Sequence, residues 1–171
     1  DMFRYPEYKT QDESYDTYWQ NREIESGKLN SFQKERSDIL LKYLKEGDSI
    51  IDIGCGDGRI LAYLKEKKNL GLLTGIDPSP LALERARQHG LETSQANIAD
   101  ILSKKIVPPA SDVVILFEIL EHISNSEELL AWSVSHANRL VAFSVPNTGF
   151  IMHRLRFLLG KFPLQWRAHP S

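Results

Sequence analysis

Short apolar runs alternate with amphipathic segments through the middle of the chain. The pattern predicts strands at 49–53, 72–76, 92–96, 112–117 and 140–145, and helices at 59–67, 80–89 and 125–137. Strands that alternate with helices in this way are typical of βαβ units. We therefore expect an α/β fold in which helices cover both faces of a mainly parallel sheet.

Two further helices are predicted outside this region. Residues 31–45 carry apolar side chains at near-helical spacing before Gly47, which is a helix-stop signal. Residues 150–160 combine apolar with basic positions. The stretch 102–111 contains two prolines and is expected to be a connection, which would leave one face of the sheet thinly covered.

Cap residues support two of the predicted helix starts. Ser79 precedes Pro80, which fits an N-cap followed by proline at the first helical position. Ser124 has Glu127 three residues later, the pattern of a capping box. Both starts are thus predicted independently of the apolar periodicity.

The length of 171 residues suits a single domain. We expect an aromatic-rich cap and helix at 1–46, a cofactor-binding core at 47–147, and a C-terminal helix and tail at 148–171. Because the chain begins at Asp1 and stops abruptly at Ser171, we expect it to be a piece of a longer protein.

Composition excludes several classes of partner. The formal net charge of -2 provides no general attraction to nucleic acid or to an anionic membrane. The one cysteine, Cys55, has no partner for an internal disulfide, which favours a reducing compartment. No run approaches the roughly 18 apolar residues of a membrane span, and the start lacks a signal-peptide pattern. We therefore expect a cytoplasmic protein.

The turn after the first predicted strand is rich in glycine and acidic. Gly54, Gly56 and Gly58 allow the backbone to approach a ligand without an intervening Cβ. The dinucleotide fingerprint G-x-G-x-x-G differs from this spacing, and it binds a pyrophosphate. Asp52 and Asp57 would repel a pyrophosphate but attract a ligand with an ammonium and a sulfonium, as S-adenosylmethionine has.

Later strand ends supply the rest of a nucleoside site. Asp77 follows the second strand, where an acid can accept hydrogen bonds from both ribose hydroxyls. Pro78 then turns the chain toward the next helix. The third strand ends at Asn97 and Ile98, whose amide and apolar side chains could meet the adenine amino group and ring face. The alternative for Asn97 is a simple turn residue.

These residues resemble the class I S-adenosylmethionine-dependent methyltransferases over about residues 30–147. Residues 117–123 are similar to the strand-four motif of the type 11 group, which includes ubiquinone-biosynthesis O-methyltransferases. The resemblance implies a Rossmann-like three-layer sandwich that binds S-adenosylmethionine without a metal. It also implies that backbone at Gly54 and Cys55 holds the methionine moiety, while Phe117 and Glu118 line the same pocket.

The chain departs from that family in two respects. Asn97 stands where the third-strand motif has an acid. The family's sixth and seventh strands have no counterpart before Ser171, so the C-terminal strands are expected to lie beyond it or to be missing. A truncated sheet would expose the edge of the fifth strand or pair it with another chain, as in a homodimer.

A narrower resemblance lies near the C-terminus. Residues 143–147, followed by the short segments 153–155 and 159–161, look like the MetW family of methionine-biosynthesis proteins. That family is thought to work with a homoserine acyltransferase. The resemblance implies a cofactor-binding regulator of such a partner as the alternative to a catalyst.

Methyl transfer is an in-line displacement that depends mainly on positioning, and no metal is required. A hydroxyl acceptor would benefit from a general base, for which the candidates are His122, Glu118, Glu121 and, more remotely, His153. The alternative for His122 is a residue that organises the turn before a helix. The Asn-Pro-Pro-Tyr motif of many amino-group methyltransferases is absent, which disfavours N-methylation of nucleobases and glutamine amides and leaves other nitrogen acceptors open. We expect a small-molecule acceptor that is methylated at oxygen or carbon.

Aromatic residues near the N-terminus suggest a lid. Tyr15, Tyr18, Trp19 and Arg22 could close over the cofactor, with Arg22 or Arg36 pairing the methionine carboxylate. The alternative is a helix whose aromatic residues only pack on the core. Three functions therefore remain: a small-molecule methyltransferase, a MetW-like regulator and, disfavoured by the acidic turn, a nucleotide-dependent oxidoreductase.

Overall fold

The computed structural model describes residues 29–147 and Leu158. The described helices are α1 (Ser31–Leu41), α2 (Arg59–Lys67), α3 (Pro80–Gln88), α4 (Ile98–Leu102) and α5 (Ser126–His136), with a 3-10 turn at Leu120–His122. The strands are β1 (Ile50–Ile53), β2 (Leu73–Asp77), β3 (Glu92–Gln95), β4 (Ser111–Leu116) and β5 (Ala137–Phe143). The predicted N-terminal lid and the helix at 150–160 fall outside the described residues, apart from Leu158. Among the described helices, none combines the length and the apolar character that crossing a membrane needs.

The five strands form one parallel sheet in the order β3-β2-β1-β4-β5. Asp52 in β1 lies opposite Gly75 in β2 on one side and Ile115 in β4 on the other. The carboxyl ends of the strands therefore meet at one edge of the sheet, where ligands of open α/β folds bind. The predicted α/β class and parallel sheet are confirmed.

Helices cover both faces of the sheet, as predicted. Successive strand residues point to opposite faces, and the core accordingly divides into two clusters. The first contains buried side chains of α1, α2 and α3 against the sheet: Leu40, Leu61, Leu64, Ala86, Ile50, Val113 and Ile115. The second contains side chains of α4 and α5 against the other face: Ile101, Leu129, Ile51, Ile53, Val114 and Leu116.

The expectation that 102–111 leaves one face thinly covered is wrong in part, because a short helix precedes that stretch. Asn97 begins α4 with a capping box: its side chain accepts the Asp100 N–H at 2.8 Å, and the Asp100 carboxylate accepts the Asn97 N–H at 3.4 Å. Ile101 of this helix is 1% exposed and packs on the sheet. A helix of five residues shows too little apolar periodicity to be recognised in the sequence.

The predicted capping box of Ser124 and Glu127 is wrong, whereas the Ser79 cap is confirmed. The N-cap of α5 is Asn125, and no side chain caps this helix start. The Ser124 hydroxyl instead donates to the Asn125 side chain at 2.7 Å. In α3, by contrast, Ser79 accepts the Ala82 N–H at 3.3 Å.

Two elements, β5 and α1, have bounds that differ from the prediction by more than one residue, and β5 ends at Phe143 rather than 145. Strand β5 begins at Ala137 rather than 140 and follows α5 without a loop, because Ala137 already pairs with Ser111 of β4. Helix α1 ends at Leu41 rather than 45. The Lys68 ammonium donates to the carbonyls of Leu41 and Leu44 at 3.3 and 2.6 Å, which satisfies acceptors at the end of this helix.

Candidate functional site

The glycine-rich turn lies at the carboxyl end of β1, against the end of β2. Gly54 and Gly56 have φ of 76° and 55°, values that side-chain-bearing residues rarely adopt. The N–H groups of Gly54 and Cys55 both donate to the Ile76 carbonyl, at 2.7 and 3.1 Å. A Cβ on Gly54 would lie 2.8 Å from the Ile119 side chain, so the turn also closely approaches the chain that follows β4.

Asp77 joins the turn to the helix that follows β2. One carboxylate oxygen accepts the Gly56 N–H and the other accepts the Ser79 N–H, each at 2.9 Å. The residue is 6% exposed, and burial raises the pKa of its carboxyl group. Each oxygen retains a second lone pair, since a carboxylate has about four acceptor sites. The predicted contact with ribose hydroxyls is compatible with this arrangement and stays a prediction.

The two other acids of the turn differ in environment. Asp52 is 2% exposed, and burial, followed by the neighbouring charge of Asp77, raises its pKa to about 8. Asp57 is paired with Arg59, whose Nε lies 2.9 and 2.8 Å from the two carboxylate oxygens. The charge of Asp57 is therefore compensated by Arg59, and Asp52 is mostly protonated at neutral pH in the ligand-free protein. The two acids of the predicted pair thus attract a cationic ligand less than the sequence alone suggests.

Cys55 is a packing residue within the turn. It is 8% exposed, its thiol donates to the Gly56 carbonyl at 3.4 Å, and burial raises its pKa. A Cβ on Gly75 would lie 2.6 Å from the Cys55 sulfur, so Gly75 allows this close approach. Gly58 is the N-cap of α2. It allows a similarly close approach to α3, because a Cβ on Gly58 would lie 2.8 Å from the Cβ of Ala86.

The predicted adenine-side residues follow β2 and β3. The Pro78 carbonyl accepts from the Gln95 side chain at 3.1 Å, which links these two strand ends. Asn97 is exposed and acts as a helix cap, while Ile98 is half-buried against the second core cluster. The structural role of Asn97 is thus that of a helix cap rather than of a simple turn residue. The adenine contacts of Asn97 and Ile98 stay predictions.

The chain after β4 brings Glu118 to Arg36 of α1. Glu118 has a φ of 56°, its N–H donates to the Ser144 hydroxyl at 2.9 Å, and its carboxylate accepts from Arg36 Nη1 at 2.7 Å. The Arg36 guanidinium lies 5.7 Å from the centroid of the Phe117 ring. Within the described part of the chain, Arg36 Nε is buried without a hydrogen-bond partner.

Sequence reasoning missed this arrangement in part. It named Arg36 only beside Arg22 as a partner for a ligand carboxylate, and the roles of Ser144 and Arg59 had no recognisable signal. Tyr18 and Arg22 lie outside the described residues.

The proposed bases lie in the segment that follows. Both His122 and Glu121 belong to the 3-10 turn and are exposed. The His122 backbone N–H donates to the Ile119 carbonyl at 3.0 Å, which closes the turn through the main chain. The alternative that the His122 side chain organises this turn also stays a prediction. A role for His122 or Glu118 as a base stays a prediction.

An apolar groove adjoins the Arg36 side of the site. It has a volume of about 350 Å³ and lies between α1 and the neighbouring ends of β4 and β5, where it is lined among others by Arg36, Ile39, Tyr43, Phe117 and Phe143. Across the described ranges, no three side chains of the metal-ligating types are grouped so that they could hold an ion.

Comparison with models of known protein families identifies the family of this chain. The family model described as "Methyltransferase domain" matches residues 18–169. The chain belongs to this methyltransferase domain family. Since the match spans most of the chain, it includes the glycine turn, Asp77 and the segment after β4.

Individual relatives are also named as methyltransferases, but their names specify different methylated atoms, nitrogen in one and oxygen in another. The chain is 31% identical over 91 residues to (S)-coclaurine N-methyltransferase of Thalictrum flavum subsp. glaucum, a match that covers 51% of the chain and 25% of that enzyme. It is 32% identical over 120 residues to ubiquinone biosynthesis O-methyltransferase of Vibrio atlanticus (strain LGP32), covering 66% of the chain and 49% of that enzyme. The chain thus spans a quarter to a half of the length of these relatives.

Solved structures show the same fold. Magnesium protoporphyrin IX methyltransferase from Synechocystis PCC 6803, solved with bound SAH, superposes with a TM-score of 0.61 at 21% identity, covering 88% of this chain and 75% of that one. The predicted Rossmann-like methyltransferase architecture is confirmed by this likeness.

Proposed function

We propose that the chain binds S-adenosylmethionine and transfers its methyl group to a small-molecule acceptor, at oxygen or carbon. The observation that carries the proposal is Asp77, whose buried carboxylate fastens the glycine turn to the end of β2 in a methyltransferase-family fold. A ribose bound there would face a carboxylate already oriented by two N–H groups.

The residues around the turn fit the whole cofactor. Backbone at Gly54 and Gly56 would contact the methionine moiety, and Asp77 the ribose. The buried Arg36 Nε, which has no partner in the described part of the chain, is a donor suited to the methionine carboxylate. A bound ammonium and sulfonium would favour the charged form of Asp52, whose pKa burial raises to about 8 in the ligand-free protein.

Phe117 and the adenine-side residues would line the remaining surfaces of the cofactor pocket. Bound S-adenosylmethionine would supply a methyl group already activated by the sulfonium, so the protein's contribution is chiefly to hold the two reactants in line. Glu118 and His122, on the exposed segment after β4, are the candidates to take a proton from a hydroxyl acceptor.

The MetW-like expectation is the second candidate. Its support is the sequence segment 143–147 at the end of β5, whose outer edge pairs with none of the described strands and is a place where a homodimer partner or an acyltransferase could dock. The relatives named above carry methyltransferase names, which favours catalysis. A cytoplasmic location likewise stays a prediction.

Titration calorimetry with S-adenosylmethionine and its demethylated product tests cofactor binding. We expect the wild type to bind both and Asp77→Ala to bind at least about tenfold more weakly, equivalent to about 1.4 kcal/mol. Glu84→Ala, which removes an exposed carboxylate from α3, is the matched control and should bind as the wild type does. Absence of binding by a folded wild type would contradict the proposal.

Acceptor chemistry separates the two candidate functions. We expect turnover of a metabolite panel by the purified protein, with no acyltransferase recovered in stoichiometric amount from native extract. Recovery of such a partner together with absence of turnover would favour the regulatory function.

A further inference from the structure

Glu118 is held at the end of β4 by two neighbouring elements. Its backbone φ of 56° is uncommon for a residue with a side chain, and the Ser144 hydroxyl accepts its N–H. Its side chain is 57% exposed, yet the carboxylate is turned back to Arg36 Nη1 at 2.7 Å. An exposed ion pair of this kind contributes little to the stability of the fold. We therefore consider a functional role for the contact between Glu118 and Arg36.

Arg36 is only partly satisfied by this contact. A guanidinium offers its donors in a planar fork that suits a carboxylate held by two parallel hydrogen bonds. Glu118 is bonded to Nη1, whereas Nε is buried and has no partner in the described part of the chain. A second carboxylate that reached Nε would be held by Nε and the adjacent Nη2, with two hydrogen bonds against the single bond of Glu118. Its charge would also repel the Glu118 carboxylate.

The pair lies beside the glycine turn. Ile119, which directly follows Glu118, has its side chain 2.8 Å from the position of a Cβ on Gly54. Phe117, which directly precedes Glu118, lies under the Arg36 guanidinium at 5.7 Å. A ligand whose amino-acid end rested on the turn would therefore have its carboxylate on the side of the site where Arg36 and Glu118 lie.

We propose that Glu118 is a positioning residue that holds Arg36 in the absence of cofactor and yields it to the cofactor's carboxylate on binding. The inference rests on the proposed function, since the carboxylate is that of S-adenosylmethionine or its product. Displacing Glu118 opposes binding of the cofactor. For a partly exposed ion pair the penalty corresponds to a roughly two- to fivefold loss of affinity.

Removal of the Glu118 charge tests the inference. We expect Glu118→Gln and Glu118→Gly to bind S-adenosylhomocysteine about two- to fivefold more tightly than the wild type, measured by calorimetry. Glycine suits the positive φ, so the second variant retains the backbone conformation. Glu127→Gln, an exposed charge on α5, should leave the affinity unchanged.

A truncated ligand separates this role from a structural one. 5′-Methylthioadenosine keeps the nucleoside and the sulfur but lacks the amino-acid carboxylate, so its affinity should be the same in the wild type and both Glu118 variants. Arg36→Ala should weaken binding of S-adenosylhomocysteine alone, and Glu118→Gln should produce no gain in that background.

Three results would overturn the inference. They are unchanged or weaker S-adenosylhomocysteine binding in both Glu118 variants, an equal gain for methylthioadenosine, or a gain that persists with Arg36→Ala. If the folded wild type bound neither ligand, the proposed function would fail and this inference with it. Binding of both ligands without any effect of the variants would overturn the inference alone.

Discussion

Asp52 lies within a fully buried strand at the centre of the sheet, and its pKa is raised to about 8 by burial first and by Asp77 second. The free acid in an unfolded chain titrates near 4. Between these two values the native state binds more protons than the unfolded state. The free energy of unfolding of the ligand-free protein therefore decreases as the pH rises from about 4 to 8.

Asp52→Asn should remove this dependence. We expect the wild type to lose stability relative to the variant as the pH rises from about 5 to 8, by up to about 1.4 kcal/mol per pH unit. Urea unfolding followed by circular dichroism measures the difference. Asp112→Asn is the control, because hydrogen bonds from Ser49 lower the pKa of Asp112 and place its titration below this range. Parallel pH curves for wild type and Asp52→Asn would contradict the expectation.

Single residues were predictable from sequence where their chemistry is local. The glycines and Asp77 belong to short contiguous segments whose strand context could be recognised, and the structure brings them together. The Arg36–Glu118 contact joins residues 82 positions apart, and only the packing of α1 against the sheet creates it. The pairing of Asp57 with Arg59 depends on side-chain rotamers, which a sequence pattern does not specify.

At the scale of elements, Gly58 determines how closely α2 approaches α3. Its φ is 74°, and a Cβ would meet Leu91 at 2.6 Å and Ala86 at 2.8 Å. Gly47 has a similar φ of 79°, but nothing lies within 4 Å of its Cβ position. The two glycines therefore share the backbone requirement and differ only in packing.

Gly58→Ala should destabilise the protein more than Gly47→Ala. We expect a loss of about 1–2 kcal/mol at Gly47 from the left-handed backbone alone. At Gly58 a further loss of about 1–3 kcal/mol is expected from overpacking. Urea unfolding of the ligand-free variants gives both values. Equal losses would show that α2 and α3 move apart without penalty.

Element positions were predictable where a full apolar period was present. Seven of the eight strands and helices expected between residues 49 and 145 lie within one residue of their predicted bounds. Helix α4 was missed because five residues do not complete a recognisable pattern. The start of β5 was misplaced because Asn138 and Arg139 are polar and exposed, although the strand pairs with β4 from Ala137 onward.

At the scale of the whole molecule, the sheet is asymmetric in burial. Strands β1 and β4 are almost entirely buried, whereas β3 and β5 at the two edges are largely half-buried or exposed. Among the described strands, none pairs with the outer edge of β5. The edges should therefore open locally without unfolding of the centre.

Amide hydrogen exchange should follow this order. We expect the amides of β1 and β4 to exchange only through global unfolding and those of β5 at least about tenfold faster. Mass spectrometry of peptides from the exchanging protein measures both rates. Exchange of β5 as slow as that of β1 would show that another strand, from this chain or a second copy, occupies its outer edge.

The hydrogen bonds of the glycine turn also bear on which nucleotides the site accepts. Phosphate-binding turns direct their backbone N–H groups at the ligand. Here the N–H groups of Gly54 and Cys55 are bonded to the Ile76 carbonyl, that of Gly56 to Asp77 and that of Gly58 to the Cys55 carbonyl. With these donors already committed inside the protein, the turn has few left for a pyrophosphate. We therefore expect the turn to disfavour a pyrophosphate because its donors are already bonded within the protein, as well as because of the carboxylates beside it.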